Sequence, residues 1–325
     1  MNDNYIEILE QYGLELFSAR KGRGAWLCET DKGLKMVREY RGTIRRLEFE
    51  DEVLRTAAEN GLLADPYMRS REGSLAAVAG DGTRYIVKDW YADRECNLKD
   101  TREVVRAVEK IAGLHRILRQ IPFREEWSMG SIMGKSLAAE MKRHNQELWR
   151  ARNFVRSKRK KTDFELQVIH GFQNFYEQAA EAAEGMARIF TEEKDRALFL
   201  CHGDLDQHHL LMTGRGMAVV EFNRMHFGVQ VTDLYHFLRK VMEKHEWNSA
   251  LGQSVLDVYQ KYLPLSETER KCLRYLFLYP EKYWKQINFY YNANKAWIPE
   301  KNIEKLKKLE EQEKNRWKFL HQLQG

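Results

Sequence analysis

The chain has only five prolines and four cysteines, no C-x-x-C pair, and no Ser/Gly-rich or Gln/Asn-rich tract. Scarce proline and the lack of low-complexity sequence argue against long flexible linkers, and no periodic repeat suggests a solenoid. Cys28, Cys96, Cys201 and Cys272 are scattered without zinc-ligand spacing and outline no disulfide framework, so free thiols in a reducing compartment are expected. No stretch approaches the roughly 20 apolar residues of a membrane span. The opening Met1-Asn2-Asp3-Asn4-Tyr5 has neither the basic nor the apolar region of a secretory leader, which makes cytoplasmic synthesis the expectation.

What is present is enough for a substantial core. With 325 residues, 43% hydrophobic and 12% aromatic, the chain sits at the upper edge of one domain or forms two lobes. A net charge of +6 is modest and does not imply nucleic acid. Much of it is local, in Lys142, Arg143, Arg150, Arg152, Arg156, Lys158, Arg159, Lys160 and Lys161. Leu148, Ala151 and Val155 within this run have helical spacing. A helix with one solvated basic face is the first reading, an acidic or polyanionic partner at 150–161 the second, and specific nucleic-acid recognition the last, since no recognition motif accompanies the run.

Periodicity divides the chain into a mixed region, 1–90, and a mainly helical one, 91–325. Asn4 to Tyr12 predicts a short helix. Ala25–Thr30 and Leu34–Tyr40 are strand-like around the turn Asp31-Lys32-Gly33. Thr43 to Asn60 has helical spacing and ends before Gly61. Ser74–Val78 and Arg84–Lys88 flank Gly80-Asp81-Gly82 as a second hairpin. Long helices are predicted from Asp100 and over Glu165 to Phe190, and helices again after Asp233, broken by Pro264, Pro280 and Pro299. Between them, Leu198–Phe222 carries short strands around Thr213-Gly214-Arg215-Gly216.

The chemistry-bearing stretch is Cys201-His202-Gly203-Asp204-Leu205-Asp206-Gln207-His208-His209, followed by Val219-Val220-Glu221-Phe222-Asn223 and by Asp233. It resembles the H-G-D-x-x-x-x-N loop of aminoglycoside and choline kinases, with an acidic residue about a dozen positions later at the end of an apolar strand. His209 stands where that pattern has Asn, and Glu221 where it has Asp. Phosphoryl transfer needs a base, a cation on the triphosphate and magnesium. On this reading Asp204 is the base, His209 and Glu221 occupy the metal positions, and His202 and Asp233 support the loop. A carboxylate suits magnesium or manganese; an imidazole suits softer metals better. Arg38 falls where the phosphate-binding Lys of the third strand belongs, with Lys35 as the alternative. Glu48, Glu50 or Glu52 on the following helix could pair with it. Arg20-Lys21-Gly22-Arg23-Gly24 lies where a Gly-rich nucleotide loop belongs, and ATP would rest against a hinge at Lys88 to Ala92, which includes Asp89 and Trp90.

Other segments carry a narrower likeness. With Cys201-His202-Gly203-Asp204, the segments Tyr85-Ile86-Val87-Lys88-Asp89-Trp90, Asp93-Arg94-Glu95-Cys96, Leu114-His115-Arg116, Glu147-Leu148 with Arg152-Asn153-Phe154, Asp233 to Lys240, Tyr279 to Lys285 and Asn294 to Pro299 resemble the CotS-like spore coat protein family of endospore-forming bacteria, a branch of the aminoglycoside phosphotransferase-like kinases. The resemblance implies an α+β, bilobal, protein kinase-like fold with a small mixed N-lobe and a larger, mainly helical C-lobe carrying a catalytic-loop-like segment at 201–223. It also implies synthesis in the mother cell, a place in the spore coat, and other coat proteins as partners. Within that family the substituted positions point to a catalytically degenerate or weak pseudokinase. An active ATP-dependent phosphotransferase on a small molecule or protein is the alternative.

Overall fold

A computed structural model describes residues 4–92, 94–127, 132–192, 198–292 and 300–323. Asp93 and the Asn294–Pro299 segment, two pieces of the likeness noted above, lie outside them. The chain forms two compact units, Met1–Met133 with Phe199–Asp233, and Gly134–Leu198 with Leu234–Gly325.

The first unit starts with helix α1 (Asn4–Gln11), then strands β1 (Leu16–Gly22), β2 (Ala25–Thr30) and β3 (Gly33–Glu39), helix α2 (Ile44–Glu59), and strands β4 (Ala77–Val78) and β5 (Arg84–Asp89). The five strands form one antiparallel sheet in the order β1-β2-β3-β5-β4. Gly33, with φ +86°, closes the β2–β3 hairpin where an L-residue would be strained. Thr43 caps α2 by accepting a hydrogen bond from the Arg46 amide, and Asn60 ends it.

Alternation along β3 gives the sheet two buried faces. Val37 joins Cys28 and Val87 under α1, packed on Ile8, Leu9 and Tyr12. Met36 joins Ala25, Leu27 and Trp90 against Leu211, Ala218 and Val220. Leu211 and Ala218 belong to a three-stranded sheet of β6 (Arg94–Glu95), β8 (Leu210–Thr213) and β9 (Gly216–Val219), and Val220 follows its last strand. Helix α3 (Thr101–Leu118), capped by Asp100, and the pair β7 (Phe199–Cys201) and β10 (His226–Gly228) complete the unit. Arg20, Lys21 and Gly22 are part of β1, so only Arg23-Gly24 forms the turn where a glycine-rich loop was expected.

The second unit is helical: α4 (Leu137–Ser157), α5 (Asp163–Glu192), then α7 (Ser249–Tyr262), α8 (Glu267–Leu278), α9 (Glu281–Asn292) and α10 (Glu300–Gln322). Helix α6 (Val231–Lys244) begins in the first unit and runs on in the second. Pro264 separates α7 from α8, and Pro280 separates α8 from α9, as helix-incompatible residues should. Ser266 and Glu269 form a reciprocal capping box at the start of α8.

Candidate functional site

The His202-Gly203-Asp204 loop leaves β7 and is gripped from below by Asp233. One carboxylate oxygen of Asp233 accepts the His202 amide at 2.6 Å, and the other accepts the Gly203 amide at 2.9 Å. His115 Nε2 lies 3.5 Å from the same carboxylate, and both side chains are fully buried. Burial works against the Asp233 charge, but His115, His202 and the Gly203 amide outweigh it and bring its pKa down to about 2.

His202 is also buried, and its Nε2–H donates to the Val220 carbonyl at 3.0 Å while Nδ1 accepts the Asp204 amide at 3.3 Å. That pairing fixes a neutral imidazole. Burial, helped by nearby His209, lowers its pKa to about 4. Gly203 has φ +86°, and a Cβ there would lie 2.2 Å from the Arg224 carbonyl oxygen. Asp204 stands at the loop tip, 39% exposed, with Arg224 Nε 3.5 Å from its carboxylate.

The two residues assigned to phosphate and to metal meet each other. Arg38 on β3 forms a two-pronged ion pair with Glu221, Nη1 to Oε2 at 2.6 Å and Nη2 to Oε1 at 2.8 Å. Geometry of this kind is the strong form of a charge-assisted bond. Burial raises the Glu221 carboxyl, but the Arg38 hydrogen bonds and the charges of Arg38 and Lys88 pull it below the usual carboxylate range. Glu221 also sits in the left-handed backbone region, φ 70° and ψ 51°, where non-glycine residues carry strain. Its amide donates to Asp65 Oδ2 at 3.0 Å, and Asp65 in turn forms a buried ion pair with Lys88 at 2.7 Å.

Substituting Arg38→Met is expected to cost about 2 kcal/mol, since Glu221 then loses a charge-assisted partner in a mostly buried setting. Urea unfolding of Arg38→Met, Glu221→Gln and the double variant checks this. The double variant should be more stable than the sum of the singles implies, by about 1–2 kcal/mol.

None of the candidate helix glutamates takes part. Glu50 bonds Arg46 at 2.6 Å and Tyr67 at 2.5 Å, Glu52 pairs with Arg124 at 2.5 Å, and Glu48 is exposed. Lys35 lies on the opposite face of β3 from Arg38 and pairs with Asp89 at 2.5 Å. Trp90 is 7% exposed within the Met36–Leu211 cluster, its amide donates to the Leu34 carbonyl at 3.0 Å, and the Arg23 guanidinium lies 5.8 Å above its ring. Arg23 ties the β1–β2 turn down, donating to the His208 carbonyl at 2.6 Å and to Glu95 at 2.5 Å.

His208 faces Glu95, with Nδ1 2.7 Å from Oε2, and is half exposed. His209 is largely buried, its Nδ1 3.0 Å from Asp206 and its ring 5.5 Å from that of His202. Of the candidate metal positions, Glu221 has both carboxylate oxygens bonded to Arg38, and His209 supplies nitrogen where magnesium prefers oxygen. Among the described residues no three His, Cys, Asp or Glu side chains converge as metal ligands. Asp65 was not singled out from sequence, and Arg23, Lys88 and Glu95 were named only within the nucleotide loop, the hinge and a family-like segment, not as members of this network. Lys88 carried one signal, a charged residue directly after the apolar run Tyr85–Val87 and still within the strand.

The basic run divides its labour. Lys158 pairs with buried Glu165 at 2.6 Å, Lys161 donates to the Lys158 carbonyl, and Arg152 stacks over Trp149 and Phe172. Arg150, Arg156, Arg159 and Lys160 are exposed. The Asp233–Lys240 and Tyr279–Lys285 segments meet inside the second unit. Tyr235 donates to Glu281 at 2.7 Å, while Arg239 and Lys282 both donate to Glu243, at 2.6 and 3.1 Å.

The family model described as "Phosphotransferase enzyme family" matches residues 19–269. Spore coat protein S of Bacillus subtilis (strain 168) is 22% identical over 335 residues, covering 98% of this chain and 93% of that protein. Among solved structures, an aminoglycoside phosphotransferase from Alicyclobacillus acidocaldarius superposes with a TM-score of 0.83 at 16% identity, covering 97% of this chain and 94% of the other. An AMP-bound spectinomycin phosphotransferase superposes with a TM-score of 0.66 at 10% identity, over 94% and 93% of the two chains. At these identities the superpositions speak for the fold, an α+β protein kinase-like architecture. Together with the gripped H-G-D loop and the family match over most of its length, they establish that the chain belongs to the phosphotransferase enzyme family.

Proposed function

We propose that this chain acts in assembly of the spore coat as a kinase-fold protein whose nucleotide cleft is closed by its own side chains, so that it transfers phosphate weakly or not at all. The coat assignment rests on the relationship to spore coat protein S and implies synthesis in the mother cell, deposition in the coat and other coat proteins as partners. The observation that carries the catalytic half is the Arg38–Glu221 ion pair. It consumes the cation meant for the triphosphate and the carboxylate meant for the metal in a single interaction. Trp90, packed under Arg23 with its amide already bonded, is in line with this for the adenine end of the site.

The expected result is that ATP or ADP, with or without magnesium or manganese, leaves the melting temperature unchanged. A nucleotide bound at about 100 times its Kd would stabilise the protein by about 2.7 kcal/mol, well within reach of a thermal-shift measurement. A metal-dependent shift that vanishes in Glu221→Ala would overturn the proposal.

A second reading has one observation in its favour: Asp204 is exposed at the tip of an intact, gripped loop. In that reading Asp204 is the base, ATP lies against Lys88–Ala92 at the boundary of a 1–90 lobe, and Arg38 or Lys35 contacts phosphate. ATP turnover that disappears in Asp204→Asn would decide for it.

A further inference from the structure

The first unit carries a groove of about 590 Å³ between α3, the turn after α2 at Asn60-Gly61, and the β8–β9 hairpin that follows the H-G-D loop. Three cations of α3 line it, Arg106, Lys110 and Arg116, and Arg106 also lends its charge to Glu103. Glu103, one turn before Arg106, is taken by Arg94 at 2.5 Å. Glu109 is the one carboxylate among the lining residues and has an interaction of its own. Lys110 is half-buried, and burial holds its ammonium below the ordinary lysine range. A cation in that position gains from an anion arriving beside it.

The lining is not purely polar. Ile117, Met212 and Met217 provide apolar surface beside the cations. Arg106 and Arg116 are separated by about 15 Å along the helix axis, at about 1.5 Å per residue. A single phosphate needs donors converging on one point. Cations spread over this distance with apolar side chains beside them match about five residues of extended chain, at roughly 3.3 Å each.

Gly113 adds an independent observation. It lies in the interior of α3, where glycine costs about 1 kcal/mol relative to alanine. It lines the groove, and a Cβ built there meets nothing within 4 Å. No packing neighbour in the chain requires its absence. A glycine that leaves helix backbone bare at a groove suits the close approach of another chain.

We propose that the α3/β8–β9 groove docks an extended, acidic and apolar segment of a partner protein, with Arg106, Lys110 and Arg116 receiving its carboxylates. This does not depend on whether the kinase cleft is active.

The test uses the full chain and a fluorescein-labelled peptide alternating Glu with Leu, followed by anisotropy. Saturable binding that weakens at least tenfold in Arg106→Glu/Arg116→Glu, and also in Gly113→Leu, is the expected result. Gly113→Leu should melt no lower than wild type, so loss of binding there reports a filled groove and not an unfolded one. The same peptide with Lys in place of Glu should not bind. Equal binding by wild type and the charge-reversed variant overturns the proposal, as does absence of binding. Displacement of the peptide by polyphosphate at lower concentration than by unlabelled peptide overturns it in favour of a general polyanion site. Loss of binding in Arg156→Ala/Arg159→Ala/Lys160→Ala, with Arg106→Glu/Arg116→Glu unaffected, would move the contact to α4.

Discussion

Asp233→Ala should destabilise the protein by about 3–5 kcal/mol, the range for removing one partner from a buried charged network. Two backbone amides, that of His202 buried and that of Gly203 partly buried, lose their acceptor together, and buried His115 loses the carboxylate beside it. Each unsatisfied donor costs about 1–3 kcal/mol by itself. Chemical denaturation checks the size. The control is Asp204→Ala, whose 39% exposed carboxylate lies 3.5 Å from an exposed arginine and should cost less than about 1 kcal/mol. Similar losses in the two variants would mean that the grip on the loop contributes little.

The second large effect is an acid sensitivity located at His202. Its pKa falls from 6.5 in the free side chain to about 4 in the fold, so between these values the unfolded state binds more protons than the folded one. Stability therefore rises with pH across this window: it is fully present above about 6.5 and declines as pH falls toward 4. A shift of this size corresponds to about 3 kcal/mol. Asp233 acts in the same direction over a lower window: its contribution is fully present above 3.8 and is lost as the pH falls through about 2. Unfolding free energies at pH 4, 5, 6 and 7 should show the slope in wild type and a much flatter one in His202→Gln. The slope is the readout, since glutamine changes the absolute stability as well. His144, also lowered to about 4 by burial, contributes less because its ring is partly exposed. A slope unchanged in His202→Gln and abolished in His144→Gln would relocate the effect to α4.

Local signals in the sequence reached the local structure well. Thr43 and Asn60 bound α2, Asp100 opens α3, and Gly33 closes the β2–β3 hairpin, because caps and turns are decided by neighbours in the chain. Strand β1 escaped notice because its exposure pattern does not alternate: Phe17, Ser18, Arg20 and Lys21 are exposed while the strand is held by β2. The short strands β6 and β10 exist only through partners far along the chain, Leu211–Met212 and Phe199–Cys201. In the site, the candidate residues were legible but their pairing was not. Arg38 had three glutamates available on the next helix, and its partner is Glu221, 183 positions away. Periodicity placed Lys35 and Arg38 on opposite faces of one strand, yet nothing local indicated that Asp89 was waiting for one and Glu221 for the other.

Gly203 bears on how sequences of this kind should be compared over evolutionary time. Any side chain at 203 collides with the Arg224 backbone, and a replacement without a donor at 202 loses a buried bond to Val220. Selection for folding alone is enough to preserve His and Gly there, in a lineage that has lost turnover as readily as in one that keeps it. Asp204 has no such anchor. In a lineage without catalysis it is the position free to drift, so among relatives of this chain the third letter of the tripeptide, and not the first two, reports on chemistry.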